Sequence, residues 1–165
     1  ITGDLITLSY LTSFLNSSIF RCCFKDNFPE LLGNTYEVSK KYFKDVPILH
    51  PTSQEAQKFL PLIELIQLAK AEKQQAAHQN LQALIDACVM ECYFRDHMAE
   101  RDLLFHDTVA EALKDYKPDA TEAEQTAYIE TFHQRLIEAK IPERIARIPE
   151  DSPDLLGVIL KEGKV

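Results

Sequence analysis

The stretch LQALIDACVMECY, residues 81–93, carries apolar side chains at Leu81, Leu84, Ile85, Cys88, Val89, Cys92 and Tyr93. This is an unbroken i, i+3, i+4, i+7 repeat, which puts all seven on one face of an α-helix and fits no strand, whose period is two. Such a stripe is a core face, so the segment predicts a helix packed against other elements along that side.

Working outward, helix signals dominate. Only four glycines occur, at positions 3, 33, 157 and 163, and alternating β-branched runs are scarce. Thr52 with Glu55, and Thr121 with Glu124, have the spacing of a capping box and predict two helix starts. Pro61 predicts a kink or restart in the first of these, because it removes a helical N–H and crowds the preceding turn. That helix runs on from Leu62 to about Lys73. Phe105, Val109, Ala112, Leu113 and Tyr116 mark a helix that stops before Pro118, and Tyr128, Ile129, Phe132, Leu136 and Ile137 mark another that stops near Pro142. Near the start, a helix from about Leu5 runs into Asn16-Ser17-Ser18, where Ser17 or Ser18 caps a second segment bearing Phe20 and Phe24. Pro29 to Thr35, with Gly33-Asn34, reads as a turn. The next piece, TYEVSKKYFKDVPILHP (35–51), is short helix or extended chain ended by Pro47. Pro149 and Pro153 predict an irregular tail with one apolar patch, Leu155 to Leu160. The fold expected is mainly α, a multi-helix bundle or array with an irregular C-terminal tail and little or no β-sheet. It divides into 1–50, a helical scaffold over 51–148 and the tail over 149–165, in one compact fragment.

A chain of 165 residues buries roughly two-thirds of its unfolded surface as one domain. Its hydrophobic share of 45% and charged share of 27% are those of a soluble globular protein. No apolar run approaches the ~20 residues of a membrane helix, so no membrane partner is expected. The chain begins at Ile1 with no secretory pattern, as expected of a piece of a larger protein. Cys22-Cys23, Cys88 and Cys92 make a poor disulfide framework, which points to a reducing cytoplasm. The net charge of −8 excludes a whole-surface nucleic-acid binder. Residues 1–50 are the exception, with five basic and five acidic side chains against six and ten in 118–165.

Cys88 and Cys92 share a helical face, and with His97 they could supply three zinc ligands. Both lie inside the apolar stripe, however, and buried free cysteine is common, so they read as core and no metal is expected. Cys22 and Cys23 diverge by about 100° on a helix and read as packing. Glu130 and His133 have the E-x-x-H spacing of di-iron bundles, but in one copy only. His106-Asp107 resembles a phosphohydrolase dyad without its partners. Both pairs read as solvated helix faces. Pro153-Asp154 with Glu162-Gly163-Lys164 matches PD…ExK on paper, with a short gap and no flanking strands. Phosphate-binding glycine loops and nucleophile elbows are absent, so no catalytic residue is expected.

YLTSFLNSSIFRCCF (10–24), followed by GNTYEVSKKYFKDVPI (33–48), resembles the C-terminal region of TaqI-like and type IIG adenine-specific DNA methyltransferases. There a helix ending in LLNS leads into an aromatic helix, a glycine turn, a Ser-Lys piece and an IPI-like tripeptide, here Val46-Pro47-Ile48. FLPLIELIQLAKAEK (59–73) resembles the helix that follows, and LIDACVMECYF (84–94) resembles an IDxxVYxLYxL segment, in the same order. Met90 and Cys92 depart from its tyrosine and leucine. The catalytic N-P-P-[YFW] motif and the cofactor-binding glycine loop are absent, and residues 97–165 show no resemblance.

The resemblance implies DNA target recognition. An upstream methyltransferase domain, using S-adenosylmethionine and, where cleavage accompanies methylation, magnesium, would act on an extruded adenine. This fragment itself would hold no cofactor. Its share would be to grip double-stranded DNA through side chains that bond base edges and phosphates. The candidates are Asn34, Thr35, Tyr36, Ser39, Lys40 and Lys41, with Lys25 and Lys44 secondary. The competing readings are a helical protein-interaction domain, in which Lys40-Lys41 is a solvated pair, the PD…ExK nuclease and the zinc-stabilised module.

Overall fold

The computed structural model describes residues 5–31, 35–37 and 39–163. In chain order these form α1 (Leu5–Leu15), α2 (Ser18–Asn27), β1 (Glu30–Leu31), β2 (Thr35–Tyr36), α3 (Lys40–Phe43), α4 (Ser53–Ala71), α5 (Gln75–Ala99), α6 (His106–Ala112), α7 (Glu122–Glu138), α8 (Ile141–Asp151) and α9 (Leu156–Glu162). The fold is mainly α, as the sequence predicts. The segment from Pro29 to Thr35, expected as a plain turn, opens and closes on a two-residue antiparallel ladder pairing Glu30 with Tyr36 and Leu31 with Thr35.

The stripe of residues 81–93 lies on α5, and α5 is the hub. It touches α1, α2, α4, α7 and α8. Contact on several sides explains why Ala87, Met90 and Glu91, all off the seven-residue stripe, are buried with it. The buried face is thus wider than one stripe, and α5 keeps an exposed side at Gln75, Gln79, Gln82, Arg95 and Asp96. Its helical geometry breaks at Phe94 (φ −129°, ψ 36°), immediately after the stripe ends. α4 packs on α5 and α1, and its buried side is Phe59, Leu62, Leu65 and Ala69.

Both capping boxes form. Thr52 accepts from the Glu55 N–H while Glu55 accepts from the Thr52 N–H, and Thr121 and Glu124 do the same. Pro61, expected to kink or restart α4, does not restart it, and the helix runs through it. Proline forfeits one backbone bond and crowds one carbonyl. The four buried side chains around it hold the helix in register regardless.

The described part of the tail, 149–163, is less irregular than its prolines suggest. α8 continues through Pro149 to Asp151, because that proline falls in the last turn, on the exposed side. α9 then packs on α8 and α2, with Leu156 fully buried. α8 itself starts at Ile141, with Pro142 in its first turn, where a proline is tolerated. No helix among the described residues is long and apolar enough to cross a membrane.

Candidate functional site

The four segments that carry the resemblance close on one another. Ser17 has extended geometry (φ −80°, ψ 160°), and its Oγ accepts from the Phe20 N–H at 3.2 Å, capping α2. The next N–H, that of Ser18, would be an orphan of the first turn. It donates instead to Asp86 Oδ1 at 2.8 Å, and Ser18 Oγ donates to Oδ2 at 2.6 Å. Asp86 is the aspartate of the IDxxV-like segment. Tyr93, the tyrosine of the same segment, donates to the Pro47 carbonyl at 3.0 Å and accepts from the Leu49 N–H at 2.9 Å. Its ring stacks on Phe14 with centroids 5.7 Å apart.

Between these anchors in the chain lie β1, β2 and α3. Tyr36 packs edge-on against Phe24 at 5.0 Å, within an aromatic cluster that includes Phe20, Phe28 and Phe43. Ser39 stands at the N-cap of α3 without a capping side-chain bond. Lys40, Lys41 and Lys44 are exposed, and the Lys41 ammonium lies 5.2 Å from the Tyr42 ring centre. Asn34 lies outside the described residues, as do the side chains of Thr35 and Lys25. A groove of about 560 Å³ opens beside the Asn16-Ser17 break, with Arg21, Lys70 and His78 on its walls and Ile63, Ile66 and Ile85 behind them. The Nε of Arg21 is buried with no hydrogen-bond partner among the described residues. Neither Lys70 nor His78 stands out in the sequence, because they come from α4 and α5 and meet only in the fold.

A second polar cluster is set deeper, where α4, α5 and α6 meet. Glu91 is 1% exposed. Its Oε2 accepts from the N–H groups of Phe105 and His106, the latter at 2.9 Å, and its Oε1 accepts from Arg95 at 3.0 Å. Arg95 reaches on to Glu55 Oε1 at 3.4 Å. Glu91 holds the start of α6 by supplying acceptors to N–H groups that a helix cannot satisfy itself. This corrects the reading of His106 as a solvated residue, since it is 1% exposed. Its Nε2 lies 3.1 Å from the Cys88 carbonyl and 3.4 Å from Cys92 Sγ, while its Nδ1 is buried with no partner among the described residues. Asp107 is exposed.

The electrostatics follow from burial. Desolvation pulls His106 below the usual imidazole value against the pull of Glu91. Desolvation and the nearby Glu55 and Glu91 push the Cys92 thiol up to about 12. Partial burial raises Glu55, but the Thr52 hydroxyl and N–H outweigh it and keep its carboxyl below the usual range.

Glu55, Cys92 and His106 bring one possible ligand atom each to within 4.8 Å of one another. The zinc set weighed from spacing does not assemble. His97 bonds Ser152 Oγ at 2.7 Å, and Cys88 is fully buried as core. Among the described residues no disulfide forms. His133 pairs with Asn80 at 2.8 Å, and Glu130 is exposed. Asp154 precedes α9 and Glu162 ends it, with helix rather than strand between them, and Lys164 lies outside the described residues.

Glu91 does not stand out in the sequence, although a signal is present. It stands seven residues after Leu84 and three after Cys88, on the core face, four before an arginine. A carboxylate in that register implies a buried partner. Compared with family models, curated proteins and solved structures, the chain matches none.

Proposed function

We propose that this chain is a DNA target-recognition and scaffold portion of a bacterial restriction–modification enzyme, an adenine-N6 DNA methyltransferase, whether or not an endonuclease is fused to it. In this reading the chain contributes binding, and methyl transfer belongs to an upstream domain that uses S-adenosylmethionine. The observation that carries the proposal is the mutual closure of the resembling segments. Asp86 and Tyr93 come from one such segment and hold two others, the LNS-like break at Ser18 and the tripeptide at Pro47. Letters scattered along the sequence thus belong to one packed unit, as expected if they descend from one module.

That unit presents α3 outward, with Lys40 and Lys41 exposed and Arg21 on the helix against which Phe43 packs. Lysines so placed suit phosphate contacts, and Asn34, Thr35 and Ser39, close to them in the sequence, have side chains suited to base edges or sugars. Tyr36, engaged by Phe24, would position the turn. α4 to α9 are then scaffold.

The test is equilibrium binding of the chain to duplex DNA over a salt series. Binding should weaken steeply with salt, and Lys40→Ala with Lys41→Ala should lower the log–log slope by about two, close to one per lost phosphate contact. Binding absent at low salt, or a slope unchanged by the double substitution, would favour the protein-interaction reading of the same surface.

A further inference from the structure

We propose that Glu55, Cys92 and His106 form a divalent-metal site of the zinc class, with Cys92 Sγ, a ring nitrogen of His106 and Glu55 Oε1 as protein ligands and a solvent oxygen completing the tetrahedron. The site is independent of the DNA-binding reading.

The donor set comes first. Thiolate, imidazole and carboxylate are the three side-chain types that zinc accepts, and three protein ligands with an open fourth position is a recurring zinc arrangement. The three residues come from different elements, the first turn of α4, the end of the α5 stripe and the first residue of α6. A metal there would pin the junction of three helices.

Separation comes second. A tetrahedral ion with bonds of about 2.3 Å to sulfur and 2.0 to 2.1 Å to nitrogen holds those atoms about 3.6 Å apart. Cys92 Sγ and His106 Nε2 are already 3.4 Å apart.

Each ligand is also pre-positioned by something else. Glu55 Oε2 is occupied by the Thr52 N–H at 2.8 Å and Oγ1 at 2.7 Å, which fixes the carboxylate and leaves Oε1 for a ligand. The only other claim on Oε1 among the described residues is Arg95 at 3.4 Å, from a side chain 48% exposed that can swing to solvent while Glu91 retains it. Glu91 fixes His106 through its backbone N–H. Ligand geometry held by surrounding hydrogen bonds is what a binding site requires.

A neutral imidazole has one N–H and one lone pair. Ligation through Nε2, the nitrogen facing Cys92 Sγ, puts the proton on Nδ1, and the ring gives up only its 3.1 Å contact with the Cys88 carbonyl. Binding is balanced simply, because the Cys92 S–H loses its proton to solvent as sulfur bonds the cation.

The experiment strips the chain with a chelator and titrates it with cobalt(II), then zinc(II). Expected are one equivalent of cobalt, a near-ultraviolet thiolate-to-cobalt band with the visible bands of a tetrahedral ion, displacement by zinc and a raised melting temperature in zinc. Cys92→Ser should abolish the charge-transfer band and weaken zinc at least a hundredfold, while Glu55→Gln, which can keep the capping box, should weaken it about tenfold. Cys22→Ser and Cys23→Ser should leave the spectrum unchanged. Cys92→Ala serves as a second variant should Cys92→Ser misfold, and the wild-type spectrum alone decides thiolate ligation. Absence of stoichiometric binding, or a thiolate band that survives loss of Cys92, would overturn the site.

Discussion

Asp86 on α5 holds Ser18 at the start of α2 by two hydrogen bonds, N–H to Oδ1 at 2.8 Å and Oγ to Oδ2 at 2.6 Å, across 68 residues of chain. One carboxylate thus caps a helix whose residues are distant in sequence. Asp86→Ala leaves the Ser18 N–H without its acceptor and should cost about 1–3 kcal/mol in denaturant unfolding. Asp86→Asn should cost less, since the amide oxygen can accept from Ser18 N–H and the amide nitrogen can donate to Ser18 Oγ.

The same pair predicts a pH trend. Burial raises the Asp86 carboxyl above its ordinary 3.8, against the Ser18 bonds and Arg21, which lower it. Below 3.8 the carboxyl is protonated in both the folded and the unfolded chain, so it contributes no slope. As pH rises above 3.8 the unfolded chain ionises first, so stability falls until the folded carboxyl ionises too. Asp86→Asn lacks this effect. The stability difference between wild type and Asp86→Asn should therefore move in favour of the variant as pH rises through this window. Chemical unfolding at pH 3.5, 5 and 7 measures it, each tenfold weakening of the acid on folding being worth about 1.4 kcal/mol. A difference constant with pH would show that burial does not perturb the carboxyl.

Glu91 is expected to be the least replaceable polar residue. It accepts from two backbone N–H groups and from Arg95 while almost wholly buried. Glu91→Ala strands the buried Phe105 and His106 N–H groups, while half-exposed Arg95 turns to Glu55 or solvent, and should cost about 2–4 kcal/mol, the scale for two buried amides losing their acceptor. Glu91→Gln keeps one acceptor for the α6 amides and should cost about half as much or less. Equal, small losses for both would mean that water replaces the carboxylate freely.

Tyr93→Phe tests the other clasp. It keeps the ring on Phe14 and removes only the hydroxyl that bonds Pro47 and Leu49. Global stability should fall by about 0.5–1.5 kcal/mol. The sharper readout is local, since the Leu49 amide should exchange with solvent faster than it does in the wild type, while amides within α5 should not change. Unchanged exchange at Leu49 would remove Tyr93 as the anchor of that segment.

Much of this architecture is legible in the sequence. Thr52-Glu55 and Thr121-Glu124 are local signals, complete within four residues, and both boxes form. The stripe from Leu81 to Tyr93 is likewise set by one helix period. Pro61 does not restart α4, because the cost of a helical proline is local while the packing that outweighs it comes from elsewhere in the chain, and Pro149 is tolerated because it falls in the last turn of α8 on its exposed side. His106 and Glu91 are hidden for a related reason. A histidine beside an aspartate looks solvated until the partner that buries it, fifteen residues earlier on another helix, is in place. The meeting of Glu55, Cys92 and His106 likewise depends on how three helices cross, and no spacing in the sequence encodes it.

Gly163 supplies the last test, at the point where the C-terminal helix meets α2. A Cβ built there would lie 2.7 Å from the Ser18 carbonyl oxygen and 2.8 Å from the Ser18 Cα, so α9 can close on α2 only without a side chain. The contact is with backbone, which cannot rotate away, and Ser18 is already held by Asp86 from the other direction. Gly163→Ala should cost about 1–3 kcal/mol, as overpacking does, and should loosen α9 before it loosens α5. Protease sensitivity after residue 152 and amide exchange within α9 are the measurements. Should Gly163→Ala leave both unchanged, α9 does not seat against Ser18. Should it disturb them, the glycine between Glu162 and Lys164 has a steric role that owes nothing to nuclease chemistry.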